Sequence, residues 1–277
     1  MLSPLRYPGS KSDFIQTAAK ILKASDLVGY EMVEPYAGSA AVSLGFLELN
    51  LIRHVTLVER DPLVYSFWKS VVDAPEDLIS EFESTPITLD KWHELRPLLQ
   101  TDTPDNEDIL KLGLAGLFFN RANFSGILNA GPIGGKEQKS EYKINCRTNK
   151  VEIAKRIRKI AEYKDKISVV FGDATDIVSQ YKESQNVFFY LDPPYFVKGE
   201  SLYRYFYRLK EHKTLAKALG DVKFKWLLSY DDHHVIEFLY EDFHIKKFAF
   251  QYSARSPKNH TELLISNFEL SPTALEK

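Results

Sequence analysis

The strongest constraint on the fold is an alternation. Short runs of strand-forming residues alternate with segments of helical pattern, and several runs end in an acid. Val33 leads into Glu34-Pro35-Tyr36-Ala37-Gly38-Ser39-Ala40, after which Val42, Leu44, Phe46 and Leu47 give a helical pattern. His54–Glu59 is a second strand with an acid at its end, and Pro62 opens a helix through LVYSFWKSVV. Three later strands are predicted at Ile167–Phe171, Val187–Leu191 and Trp226–Ser229. Strands separated by helices predict a parallel α/β sheet. Phe248–Tyr252 and Glu262–Ser266 are joined by too few residues for a parallel crossover, so they are predicted to pair antiparallel.

Residues 72–150 break the rhythm. They carry acidic helical stretches, the run LKLGLAGLFFNRANFSG and the Gly- and Pro-rich loop LNAGPIGGKEQKSEY. The expectation is a mainly helical insertion at 72–150, dividing one sheet domain into 1–71 and 151–277. Asn149, with Glu152 three residues on, marks the next helix start. Ile153, Ile157, Ile160 and Ala161 share one of its faces, while Lys155, Arg156, Arg158 and Lys159 form its wet side. Trp68, Trp92 and the Phe118-Phe119 pair read as core.

The chain is 44% hydrophobic, enough to bury a core. Its formal net charge of −2 hides an uneven distribution. Residues 72–110 hold eleven acids against Lys91 and Arg96; residues 136–166 hold eleven Lys and Arg against five acids, and residues 196–217 six against two. Two basic blocks beside a candidate pocket favour a polyanionic partner. Cys146 is the single cysteine, which excludes an internal disulfide and suits a reducing compartment. With no apolar leader and no membrane-length apolar run, a soluble cytoplasmic protein is expected. His233-His234 has no Cys or His cluster to complete it, so no metal site is expected.

Asp192-Pro193-Pro194-Tyr195 carries the most chemistry. Consecutive prolines fix φ and lack N–H groups, so the backbone there is stiff and offers only acceptors. The Asp192 carboxylate is a further acceptor and Tyr195 an aromatic plate. Such a pocket suits a planar ring bearing an NH₂. Acceptors that bind the amine's hydrogens favour pyramidal geometry and free its lone pair for attack on an electrophile. The Glu34–Ala40 turn and Glu59 lie where α/β folds hold a nucleoside-bearing ligand.

With these residues in view, the chain resembles the Dam-like, or D12 class, DNA adenine-N6 methyltransferases. LRYPGSK (Leu5–Lys11), VEPYAGSAA (Val33–Ala41), LVERDP (Leu57–Pro62), FNRANFSG (Phe119–Gly126), FGDA (Phe171–Ala174), LDPPYFVKGESLY (Leu191–Tyr203) and YSARSPKNHTELLIS (Tyr252–Ser266) resemble its motifs, in its order. The family loop usually reads Phe-x-Gly-x-Gly where this chain has Tyr36-Ala37-Gly38-Ser39-Ala40. The first motif usually ends Gly-Gly-Lys where this chain has Gly9-Ser10-Lys11, and the second-strand acid is more often Asp than Glu.

The resemblance implies a Rossmann-like seven-stranded methyltransferase sheet, mostly parallel with one antiparallel strand, and a DNA target-recognition domain at 72–150. It implies S-adenosylmethionine as cofactor, S-adenosylhomocysteine as product, no metal, and base flipping of duplex DNA. Tyr7, Lys11, Glu34, Pro35, Tyr36, Gly38, Ser39, Glu59, Asp173 and Asp192 would surround the cofactor. Asp192, Pro193, Pro194 and Tyr195 would hold the target amine and base. Candidate DNA contacts are Arg6, Arg121, Asn123, Lys136, Lys139, Lys198 and Arg204, with Lys143, Arg147 and Arg208 as further cations. Tyr203, Tyr205 and Tyr207 interleave with Arg204 and Arg208, as a nucleotide-stacking stretch or a partly buried hairpin would. The expected partner is double-stranded DNA bound by a monomer, with a cognate restriction endonuclease as a functional partner. Two alternatives stay open: an enzyme of this build acting on RNA adenine or cytosine N4, and a DNA-binding homologue without catalysis.

Overall fold

The computed structural model describes residues 1–7, 9–250 and 260–275. Helix α1 (Ile15–Ala24) precedes strand β1 (Glu31–Pro35), helix α2 (Ala41–Glu48), strand β2 (His54–Glu59) and helix α3 (Pro62–Asp73). Then come α4 (Pro75–Ser84), α5 (Leu89–Leu95), α6 (Ile109–Ala122) and α7 (Lys150–Ala161). The remainder alternates: β3 (Ile167–Phe171), α8 (Ala174–Gln180), β4 (Val187–Leu191), α9 (Gly199–Leu202), α10 (Leu209–Leu219), β5 (Lys225–Asp231) and α11 (His234–Leu239). Strands β6 (His244–Phe250) and β7 (His260–Ser266) and the short α12 (Pro272–Leu275) close the chain.

The seven strands form one sheet in the order β3-β2-β1-β4-β5-β7-β6. All neighbours are parallel except β7, which runs antiparallel to both β5 and β6. The expected antiparallel pair is therefore present. Gln251 and Tyr252, and with them Tyr252–Asn259 of the last motif, lie outside the described residues.

Strand alternation sorts the core into two faces. Met32, Val55, Leu57, Phe188, Tyr190, Leu227 and Leu264 belong to one apolar cluster; Val33, Val58, Phe189, Leu191, Trp226, Leu228 and Leu263 belong to the other. Helices α8, α10 and α11 cover the second face. The first is covered by α1–α3, and the helices of residues 72–150 extend the same cluster. Leu78, Phe82, Trp92, Leu112 and Phe119 are continuous with Leu63, Phe67 and Trp68. Gly113 and Gly116 bring α6 against α3, since a Cβ at Gly116 would lie 2.5 Å from the Leu63 carbonyl oxygen. Helices α4, α5 and α6 thus share the apolar cluster of the sheet's first face. The helix start expected at Asn149 is confirmed by its side chain, which accepts the Glu152 N–H at 3.1 Å. Trp68, Trp92, Phe118 and Phe119 are all buried.

No helix among the described residues is long and apolar enough to cross a membrane.

Candidate active site

In an open parallel sheet, ligands bind beyond the carboxyl ends of the strands where the strand order reverses. Here the reversal lies between β1 and β4. Glu34 sits near the end of β1, Glu59 ends β2 and Asp192 follows β4, and a single cleft is lined by all three.

The turn after β1 is tight. Tyr36, Gly38 and Ala40 adopt φ of 64°, 46° and 50°. The left-handed region costs a non-glycine residue roughly 1–2 kcal/mol. Ala40, where the family loop usually has glycine, thus takes a conformation that favours glycine, with strain. Gly38 has no such freedom. A Cβ there would lie 2.9 Å from the Tyr7 ring, so the cradle between the turn and Tyr7 exists only with glycine. Trp68 fixes the turn by donating its indole N–H to the Gly38 carbonyl at 2.9 Å.

Glu59 is buried and ties the turn to β2. Its Oε2 accepts the Gly38 N–H at 3.0 Å, and its Oε1 accepts those of Arg60 and Asp61 at 2.9 and 3.0 Å. Burial pushes its carboxyl up to about 7 against the pull of these N–H groups. Glu34 accepts both the backbone N–H and the hydroxyl of Ser43. Burial pushes it up to about 8, with the charge of Asp192 adding in the same direction. A folded carboxyl raised this far above its unfolded value of about 4.3 binds a proton that the unfolded chain releases. Its stabilisation is full below the unfolded pKa and is lost as pH rises through the folded one. Without cofactor, melting temperature should fall between about pH 5 and pH 8 and level off above. Glu34→Gln should flatten that slope in thermal melts; an unchanged slope would remove Glu34 as its source.

Asp173 faces the cleft as well. It caps α8 through Thr175, pairs with Arg60 at 3.0 Å and accepts from the Tyr207 hydroxyl at 3.3 Å. Tyr36 donates to the Tyr207 hydroxyl at 2.9 Å. Tyr203 lies against Tyr7, with ring centroids 6.0 Å apart. The 203–207 stretch is thus a wall of the cleft. Arg204, expected on DNA, is instead buried in that wall. Its guanidinium pairs with Asp61 at 2.8 Å and donates to the Leu99 and Thr101 carbonyls at 2.6 and 3.3 Å.

Beyond β4, Pro193 and Pro194 are buried and Asp192 is part exposed. Lys11, almost fully buried, places its ammonium 2.9 Å from Asp192 Oδ1 and 3.2 Å from Glu262 Oε2. Ser229 at the end of β5 donates to the same Asp192 Oδ1 at 2.7 Å. Tyr195 donates its hydroxyl to Glu262 Oε1 at 3.0 Å. Two residues past Ser229 on the same strand face, Asp231 accepts the N–H groups of Phe196 and Val197 at 2.8 and 3.1 Å. Ser10 and Ser39 join the first two loops at 3.2 Å. Pro35 is buried at the end of β1.

The remaining DNA candidates divide by position. Lys136, Lys139, Lys143, Arg147, Lys198 and Arg208 are exposed. Arg6 is part buried and held through its backbone by Asn120, whose side chain bonds both its N–H and its carbonyl. Arg121 and Asn123, expected to contact bases, are both buried. Arg121 is buried and donates to the Pro4 carbonyl. Asn123 is fully buried, accepting from the Trp92 indole at 2.7 Å and donating to the Ile127 and Leu128 carbonyls. Polar types suited to bases are equally suited to folding a loop, and here burial decides. His233, considered as a metal ligand and rejected, uses Nδ1 to cap α11.

Sequence reasoning gave no role to Ser229, Asp231, Asp61, Glu262 or Phe124. A signal existed for Glu262, an acid directly before the apolar Leu263-Leu264-Ile265 of the strand run HTELLIS. Ser229 and Asp231 alternate at the end of a strand, which places both on one face.

The residues present fit S-adenosylmethionine. Glu59 would supply an acceptor for its ribose hydroxyls, and the Gly38 cradle would admit it against the backbone. The cleft is also lined by Asp173 and Asp192, acids near which a positive sulfonium would sit.

No curated protein sequence matches the chain. Among solved structures it is similar to a proposed RNA methyltransferase of Pyrococcus horikoshii (13% identity, TM-score 0.43, covering 95% of this chain and 84% of that one). It is also similar to a proposed methyltransferase of Escherichia coli (12% identity, TM-score 0.41, covering 95% and 89%). A third is a proposed methylase of Haemophilus influenzae (11% identity, TM-score 0.38, covering 91% and 89%). One family model fits residues 7–254, from the N-terminal loop through the turn after β1 and the helices between β2 and β3 to the Asp192 loop. The chain belongs to the D12 class N6 adenine-specific DNA methyltransferase family.

Proposed function

We propose that this S-adenosylmethionine-dependent methyltransferase modifies the N6 amine of adenine in duplex DNA, with the adenine flipped out of the helix into the mouth of the cleft. The observation that carries the reading is the asymmetry of Asp192. Lys11 and Ser229 both bond Oδ1, so Oδ2 is the acceptor left for an incoming amine.

When bound, S-adenosylmethionine supplies the electrophilic methyl group. The chain supplies the rest. Asp192 Oδ2 and the Pro193 carbonyl accept the two hydrogens of the amine, which turns its lone pair out of the ring. As positive charge develops on nitrogen, the carboxylate stabilises it, and because Lys11 and Ser229 fix its orientation no reorganisation is needed at that moment. Tyr195, anchored through its hydroxyl, offers its ring to the base. Lys136, Lys139, Lys198 and Arg147 are exposed cations for backbone phosphates, and the 72–150 segment acts in target recognition.

Phe124 fits the same reading. It is 68% exposed, yet its neighbours are locked: Asn123 is buried, and the Phe124 N–H bonds the Gly131 carbonyl at 3.0 Å. An apolar side chain held rigidly outward beside a basic loop suits insertion between base steps, filling the place of a flipped base. Phe124→Ala should weaken DNA binding by about 10-fold, from base–aromatic stacking of about 1–3 kcal/mol, without altering cofactor affinity. Anisotropy titration with labelled duplex would show it, and an unchanged affinity would remove Phe124 from the interface.

The acceptor is tested by incubating the protein with labelled S-adenosylmethionine and duplex DNA or RNA, then identifying the modified nucleoside. N6-methyladenine in DNA is expected. Labelled N4-methylcytosine, or label in RNA alone, would overturn the assignment.

A further inference from the structure

We propose that Glu262 is a positioning residue for methyl transfer, dividing the Lys11 ammonium between two carboxylates so that Asp192 keeps an acceptor oxygen for the substrate amine. The inference rests on the reading that the amine sits at Asp192, and it adds a residue of the last strand to that site.

The geometry is specific. Glu262 is 3% exposed on β7, paired in register with Asp231 of β5. Its two oxygens have different partners: Oε1 takes the Tyr195 hydroxyl at 3.0 Å, and Oε2 faces Lys11 Nζ at 3.2 Å. Lys11 also contacts the Gly9 carbonyl at 3.1 Å and the Tyr195 hydroxyl at 3.4 Å. Glu262 thereby braces both ends of Asp192–Tyr195, one directly and one through Lys11. Desolvating a carboxylate is costly, and a cation within reach offsets the cost. An apolar residue would pack this position of the sheet without that cost. What an apolar residue could not do is hold the ammonium back. With Glu262 uncharged, one of the two carboxylate pulls on Lys11 is gone and that of Asp192 remains. The ammonium would then shift to straddle both Asp192 oxygens, and Oδ2 would be occupied before the amine arrives. The acceptor would also lose the partial negative charge that stabilises the methylated amine in the transition state.

The test is Glu262→Gln, close in shape to the native residue and still able to accept from Tyr195. The expected result is a single-turnover methyl-transfer rate lower by about 10²-fold, the size of effect a small misplacement at a reacting centre produces. Cofactor affinity, the KM for nucleic acid and the melting profile should stay near wild type. Glu262→Asp, which keeps the charge, should recover part of the rate. Wild-type rate in Glu262→Gln overturns the proposal. So does a loss of rate matched by equal losses of stability and cofactor binding, which would make Glu262 merely structural. The assay uses whichever nucleic acid the wild-type protein modifies. A wild-type protein that transfers no methyl group overturns the reading of the site itself, whereas a methylating wild type with an equally fast Glu262→Gln variant overturns this inference alone.

Discussion

Asp192→Asn should abolish methyl transfer, lowering the single-turnover rate by at least about 10³-fold, while the fold and cofactor binding survive. The amide keeps the shape and one acceptor oxygen, and Ser229 can still donate to it. It removes the charge that offsets the positive amine in the transition state, and it places N–H donors where the amine needs an acceptor. The loss of charge is felt as the bond forms and appears in the rate, while the loss of the acceptor also weakens the hold on the target amine, without touching cofactor binding. Circular dichroism and calorimetric titration of S-adenosylmethionine would show the intact fold and site. A variant that methylates at more than a few per cent of wild-type rate would show that the amine is held elsewhere.

Lys11→Met should have the largest effect on stability. Lys11 is 2% exposed and contacts Asp192 and Glu262 together. Methionine fills a similar volume but removes the cation that Asp192 and Glu262 share. Breaking a buried ion pair in this way costs about 3–5 kcal/mol. Denaturant unfolding should show that loss as a lower midpoint with an unchanged slope, and activity should vanish with it. The double variant Lys11→Met/Glu262→Gln separates charge from packing. It should regain part of the lost stability, because one of the uncompensated charges is gone, yet stay inactive. If it is no more stable than Lys11→Met alone, the loss comes from packing and not from charge.

The two predictions meet in the part of the site that was hardest to see in the sequence. The sheet was legible because each strand announces itself locally, by strand-forming residues and by a turn with an acid after it. Val187–Leu191, His54–Glu59 and Ile167–Phe171 are strands over the predicted residues. The Asp192 loop was legible because two successive prolines stiffen a backbone and strip it of donors whatever surrounds them. What could not be read is which partner a polar residue takes. Arg121, Asn123 and Arg204 have the chemistry of nucleic-acid contacts, but their partners are the Pro4 carbonyl, the Trp92 indole and Asp61. Lys11 was expected beside the cofactor. It does line the cleft, but its ion pairs join residues far apart in the chain, which no local pattern reveals. Ala40 shows the converse. Its departure from the family's glycine looks like a change of loop, yet the backbone takes the left-handed conformation.

The Lys11 junction also bears on how the protein comes into being. It joins residue 11, residue 192 and residue 262, with Ser229 bonded to the same carboxylate. Contacts this distant in sequence form late, since the intervening chain must first be ordered. During synthesis the cofactor turn and the Asp192 loop emerge well before β7 does. Until that strand enters the sheet between β5 and β6, the contacts of Glu262 with Tyr195 and Lys11 cannot form. On the proposed mechanism, the same placement that shares one ammonium between two acids ties catalytic competence to the folding of β7.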